Sequence, residues 1–196
     1  MIRAMPGISR RMAVRLMLGG TALALGGCAA FGPPSLAVRR PARREILRYG
    51  FDGGLTLRQD DKAWRVTISW QHDPAGDRIL LSGPLGQGIA EITRDRNGAR
   101  LTDAKGKTWS APDADTLLRD VVGIPAPLDA LPRWLLADIG SATRDAQGRP
   151  LHAEEAGWRI DYPDYESDLP EALPQRLELQ RDGLTVNLRI DQWQLD

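Results

Sequence analysis

Apolar and polar residues alternate over Trp64-Arg65-Val66-Thr67-Ile68-Ser69-Trp70, which places Trp64, Val66, Ile68 and Trp70 on one face of a predicted strand. Upstream, Tyr49 to Arg58 reads as a second strand, interrupted by Gly53-Gly54 in a way that predicts a bend or bulge. Asp60-Asp61 marks the turn between them. Asp73-Pro74-Ala75-Gly76 is a further turn, leading into the apolar runs Ile79-Leu80-Leu81 and Ile89-Ala90-Glu91-Ile92. Asn97-Gly98 and Lys105-Gly106 then signal two more hairpins. Such closely spaced strands and tight turns predict an antiparallel meander, which must close into a barrel or cover its open face.

The periodicity changes after Asp113. Asp113 is a good N-cap, Leu117, Leu118, Val121 and Val122 form a helical stripe, and Gly123 ends it. Pro125 and Pro127 force an extended link. A second helix is predicted from Leu128 to Ala137, with Leu128, Leu131, Trp134 and Leu135 at helical spacing and Pro132 confined to the first turn. Two short amphipathic helices between runs of strands favour packing on one side of a curved sheet. Strands return at Gly157–Tyr162, Arg176–Gln180 and Leu184–Leu195. In the last of these Leu184, Val186, Leu188 and Ile190 share a face, whereas Trp193 and Leu195 fall on the other parity; this predicts a bulge near Asp191. The chain is therefore mainly β with short helices, an α+β arrangement.

The turn Ser82-Gly83-Pro84-Leu85-Gly86-Gln87-Gly88 contains one residue that turn chemistry does not require. Leu85 sits at the tip, where little is near enough to pack against. It is either one of the apolar residues scattered over any surface or a side chain that meets an apolar partner.

Composition adds an export history. The chain has 196 residues with equal numbers of basic and acidic side chains, 26 of each. Arg3, Arg10, Arg11 and Arg15 precede the apolar run Leu16 to Ala24, which is too short to span a bilayer, and Leu25-Gly26-Gly27-Cys28 is a lipobox. Residues 1–27 read as a lipoprotein signal peptide and Cys28, the single cysteine, as the lipid anchor. Ser9-Arg10-Arg11 resembles a twin-arginine signal, a pair any basic leader can contain. Ala29, in place of Asp, points to the outer membrane by the general sorting rule for such proteins. With the four leader arginines removed, 22 basic residues remain against 26 acids. Residues 28–48 hold Arg39, Arg40, Arg43, Arg44 and Arg48 against Glu45, so they read as a basic tether, and residues 49–196 as an acidic body of net charge −8. An acidic, exported body disfavours nucleic acid.

Catalytic and metal signatures are weak. His72 and His152 form no ligand pattern, and no second cysteine exists. Gly83 to Gly88 lacks the Lys-Ser/Thr of a phosphate loop. Asp113 is explained by capping, and the acidic stretch Asp161, Asp164, Glu166 and Asp168 around Tyr162 and Tyr165 reads as a solvated loop. No cofactor or enzymatic activity is expected. Six tryptophans are many for a β-rich chain of this size; they are either ordinary core or the wall of a dry cavity for lipid chains.

Several short pieces, collinear behind the lipobox, resemble the LolB family of outer-membrane lipoproteins. They are Ser69-Trp70-Gln71, Asp77-Arg78 to Gly83-Pro84-Leu85-Gly86, Leu101-Thr102-Asp103-Ala104-Lys105-Gly106, Gly123-Ile124-Pro125-Ala126-Pro127-Leu128 to Trp134-Leu135, Leu177-Glu178-Leu179 and Ile190-Asp191-Gln192-Trp193. Before Tyr49 the chain departs from the family pattern, being shorter and richer in arginine. The resemblance implies an incompletely closed antiparallel β-barrel, lidded by helices around a hydrophobic cavity, as in LolA and LolB. It also implies a receptor that accepts acyl chains of lipoprotein cargo from the periplasmic carrier LolA and passes them to outer-membrane lipid without nucleotide. Gly83, Pro84, Leu85 and Gly86 would form the membrane-insertion loop. Trp64, Val66, Ile68, Trp70, Leu118 and Trp134 are the expected cavity lining, and the protein is expected to act as a monomer. The competing expectation is a structural or envelope-assembly lipoprotein of the same fold that transfers no lipid.

Overall fold

The computed structural model describes residues 40–195, and Cys28 with the signal peptide lies outside them. Eleven strands form one antiparallel sheet: β1 (Tyr49–Gln59), β2 (Lys62–Asp73), β3 (Gly76–Ser82), β4 (Gly88–Asp95), β5 (Gly98–Asp103), β6 (Thr108–Ala111), β7 (Ala142–Arg144), β8 (Pro150–Glu155), β9 (Trp158–Tyr165), β10 (Pro174–Arg181) and β11 (Leu184–Leu195). Their order is β6-β5-β4-β3-β2-β1-β11-β10-β9-β8-β7, so β1 and β11 are neighbours while β6 and β7 remain edges. The meander curls without closing. Between its two halves run α1 (Ala114–Val122) and α2 (Leu131–Leu135).

Local chemistry sets these elements. The Asp113 carboxylate accepts from Thr116 N–H at 2.7 Å, and Gly123, at φ 76°, closes α1 by donating its N–H to the Leu118 and Arg119 carbonyls. Helix α2 is shorter than the predicted Leu128–Ala137 and has no side-chain cap at its start. It is held instead by tyrosines of the sheet: Tyr49 Oη donates to the Pro132 carbonyl at 3.2 Å and Tyr162 Oη to that of Trp134 at 3.0 Å. The bend expected at Gly53-Gly54 and the parity break expected near Asp191 are one feature. Asp52 pairs with Gln192 and Gly53 with Ile190, leaving Asp191 as the extra residue. A Cβ on Gly53 would lie 2.0 Å from the Arg189 carbonyl oxygen, so the bulge requires glycine there.

Two expectations change. The acidic stretch is a solvated loop only in its second half, where Asp168 is fully exposed after β9; Asp161 and Asp164 belong to β9, whose Ile160, Tyr162 and Tyr165 are buried. Tyr165 Oη donates to the Pro150 carbonyl, and Glu166 receives Arg40. Aromatic rings every few residues pull the strand inward while the acids face out. The basic tether also ends earlier than Arg48. The compact unit begins at Arg40: Ile46 is buried in the core, and Arg43 donates to the Pro170 and Ala172 carbonyls at 2.9 and 2.7 Å.

Candidate functional site

Concave-face side chains of nine strands and the two helices enclose a cavity of about 360 Å³. Leu55 and Leu57 come from β1, Ile79 and Leu81 from β3, Trp109 from β6, Leu177 and Leu179 from β10. The period-two alternation of each strand delivers these residues to one face. The lid is α1 with Leu118, Val121 and Val122, the link Ile124 to Leu128, and Leu131 and Leu135 of α2. Asp115 braces the lid internally by accepting the Leu128 N–H at 2.8 Å. Desolvation pushes the Asp115 carboxyl above its usual range, more than this hydrogen bond lowers it. Asp103 is the one charged residue in the wall. A volume in the range of roughly 300–1,000 Å³ typical of ligand pockets, with apolar walls, suits an apolar guest.

Of the predicted lining, Ile68, Trp70 and Leu118 face this cavity, and Trp64, Val66 and Trp134 do not. Strand β3 pairs with β2 only from Thr67 onward, so β2 overhangs it, and Trp64 is 43% exposed beyond the end of the neighbouring strand. Val66 lies in the same overhang and is half-buried. Trp134 is wholly buried in α2, behind the wall, and its indole N–H has no hydrogen-bond partner among the described residues.

Gly83, Pro84, Leu85 and Gly86 form the β3–β4 turn. Gly86 N–H donates to the Gly83 carbonyl at 2.9 Å and Gly83 N–H to that of Gln87 at 2.8 Å, with Gly86 at φ 78°. This fixes a rigid tip on which Leu85 is 92% exposed, the most exposed of the large apolar side chains described.

A polar network adjoins the cavity that composition alone did not reveal. Trp70 lines the cavity with its ring and donates its Nε1–H to Asp77 Oδ1 at 2.9 Å. His72 Nδ1 lies 2.7 Å from the same oxygen, and Arg94 Nε donates to Oδ2 at 2.6 Å. Burial would raise the Asp77 carboxyl, but the bonds from His72 and Trp70 and the Arg94 charge outweigh it and hold it below the usual range. Arg94 also reaches Asp129 at 2.5 Å, joining the sheet to the lid. The signal was present in the pattern: Asp77 shares parity with Ile79 and Leu81, Arg94 with Ile92, and the two charges are cross-strand partners.

The fold and site define a class: an open, lidded β half-barrel with an apolar cavity inside. The LolB family model, described as outer membrane lipoprotein LolB, matches residues 48–193. A protein of that name from Dechloromonas aromatica is 38% identical over 191 residues, covering 93% of this chain and 98% of its own. Its namesake from Thiobacillus denitrificans is 36% identical, covering 94% of this chain and 98% of its own. The chain belongs to the LolB family.

Proposed function

We propose that the chain is a receptor of the lipoprotein-localisation system, anchored in the outer membrane through Cys28 and facing the periplasm. It takes the acyl chains of lipoprotein cargo from the soluble carrier LolA into its cavity and releases them into outer-membrane lipid. Family membership supports the setting, and the lidded apolar cavity of about 360 Å³ carries the reading of a lipid-chain site. Each methylene removed from water is worth about 0.8 kcal/mol, so a long acyl chain does not cross an aqueous space bare. It moves between dry pockets. Ile68, Trp70 and Leu118 are the lining residues assigned to acyl contact, and the Gly83-Pro84-Leu85-Gly86 turn to membrane insertion.

The test is a transfer assay. The carrier, loaded with an acylated lipoprotein, is mixed with the chain lacking residues 1–28, and the protein that holds the lipoprotein is identified after separation. Transfer to this chain is the expected result. Cargo that stays on the carrier overturns the proposal in favour of a structural or assembly role.

A further inference from the structure

We propose that the β5–β6 turn, with Lys105 and Lys107, is a second membrane contact that binds anionic lipid headgroups beside the Leu85 tip. This deepens the proposed function, because it rests on a membrane role for Leu85. The strand ladder places the two turns at one end of the barrel. Tyr49, His72, Asp77 and Arg94 are paired across β1 to β4 at one end, so the β3–β4 and β5–β6 turns both lie at the other. They are joined directly: Ala104 N–H, in the β5–β6 turn, donates to the carbonyl of Ile89, just past the Leu85 turn, at 2.9 Å.

Apolar and cationic groups alternate along this edge in the way a bilayer surface requires. Leu85 is 92% exposed, and Ile89 and Val122, which also line the cavity, are 40% and 48% exposed. The cavity therefore opens onto the edge that the tip marks. Residues 104–108 are exposed, and Lys107 Nζ stands 4.6 Å from the centroid of the Trp109 ring, itself part of the cavity wall. The ammonium therefore rests on the face of an indole at the cavity rim, on an exposed turn where a headgroup can reach it, which couples an apolar anchor to an interfacial charge. Neither ammonium is in an ion pair with Asp103, whose Oδ1 instead accepts the backbone N–H groups of Lys105 and Lys107 at 2.8 and 2.9 Å. Asp60 and Asp61 sit on the β1–β2 turn, separated from this pair by β3 and β4. On a body of net charge −8, a local cationic pair beside the cavity mouth selects an anionic surface.

The test uses the chain from Ala29 on, which lacks the sole cysteine and retains every core residue described. A polarity-sensitive fluorophore is attached singly at Leu85→Cys, Ala104→Cys or Asn97→Cys, the last on the β4–β5 turn at the opposite end. The variants are mixed with phosphatidylcholine vesicles with and without phosphatidylglycerol. Blue shifts at 85 and 104 on anionic vesicles, with 97 silent, are expected. The pair Lys105→Gln and Lys107→Gln should weaken binding to anionic vesicles about 20- to 30-fold, from about 1 kcal/mol per lysine, and leave neutral vesicles unaffected. A response at 85 with 104 silent overturns this inference and leaves the proposed function standing. Silence at both removes the membrane role of Leu85 as well. Equal binding to both vesicle types, or a double variant that binds vesicles normally but accepts cargo slowly from the carrier, also overturns it, the latter by assigning the turn to a protein partner.

Discussion

The indole N–H of Trp70 and the carboxylate of Asp77 are 2.9 Å apart, and this bond ties the cavity wall to a buried charge. Asp77 is 8% exposed and is also bound by His72 and Arg94. Asp77→Asn keeps the shape but removes the charge that Arg94 and Trp70 answer. Arg94 keeps Asp129 as a second carboxylate partner, so the cost is that of an N–H donor left facing the new amide group, about 1–3 kcal/mol. The denaturant midpoint of Asp77→Asn should fall accordingly at neutral pH. An unchanged midpoint would show that the network does not support the fold.

Asp77 and Asp115 make opposite predictions with pH. Asp77 has a folded pKa below its unfolded value, so its stabilisation is present above the unfolded pKa, about 3.9, and is lost as pH falls through the folded one. Asp115 is shifted upward by desolvation, so its contribution is full below the unfolded pKa and is lost as pH rises through the folded one. Asp115→Asn keeps an acceptor for the Leu128 N–H and discards the desolvated charge. Its stability relative to the parent should rise with pH across the acid range and hold at neutral pH, as read by thermal melts at several pH values. A variant that is less stable at pH 7 than at pH 4, each relative to the parent, contradicts this.

Gly53 and Asp191 show how much of the fold was written in local pattern. A glycine pair inside one strand and a parity break inside another each predicted an irregularity, and the sheet pairs them into one bulge. The α1 boundaries followed from Asp113 and Gly123 in the same way. Depth was not legible. Alternation placed Trp64 and Val66 on the right face of β2, but whether a position is walled in depends on how far β3 runs alongside it, which only the assembled sheet decides. The β7–β8 hairpin, Ala142–Arg144 with Pro150–Glu155, was not predicted because one strand is three residues long and the other begins with proline. The Asp77–Arg94 pair needed register as well as parity.

The bulge itself can be tested. Gly53→Ala places a methyl carbon 2.0 Å from the Arg189 carbonyl oxygen, a contact with backbone that no rotamer relieves. The β1–β11 seam, which joins the two halves of the sheet, must then shift. Overpacking of this kind costs about 1–3 kcal/mol, and the loss should appear in urea unfolding as a lower midpoint with an unchanged slope. Gly54→Ala, whose nearest neighbour is the Arg189 guanidinium at 3.7 Å, should be far milder. Equal effects at the two positions would refute the bulge as a close-approach site.

Ala90 offers a way to separate binding from folding. It lines the cavity, is half-buried, and pairs with Leu81 across β3 and β4. Ala90→Trp would fill space otherwise open to an acyl chain. If the indole displaces three methylenes at about 0.8 kcal/mol each, affinity for a fluorescent fatty acid falls roughly 60-fold. The thermal midpoint should stay near that of the parent, because the new ring enters vacant volume. Undiminished uptake would place the acyl chain elsewhere.

Leu85 is the sharpest case, because its exposure removes the folding explanation in advance. At 92% exposed on a turn closed by its own backbone hydrogen bonds, Leu85→Glu should change stability by no more than about 0.5 kcal/mol. Under the proposed function the same variant still takes cargo from the carrier, since the cavity wall is untouched. It then fails at release, where a carboxylate would have to shed water to enter the bilayer at a cost of several kcal/mol. Cargo should accumulate on the variant in the transfer assay and not reach vesicles. Leu85→Phe, which keeps an apolar tip, should release normally. Normal release from Leu85→Glu would make the tip a bystander, and a loss of acceptance would make it a carrier contact.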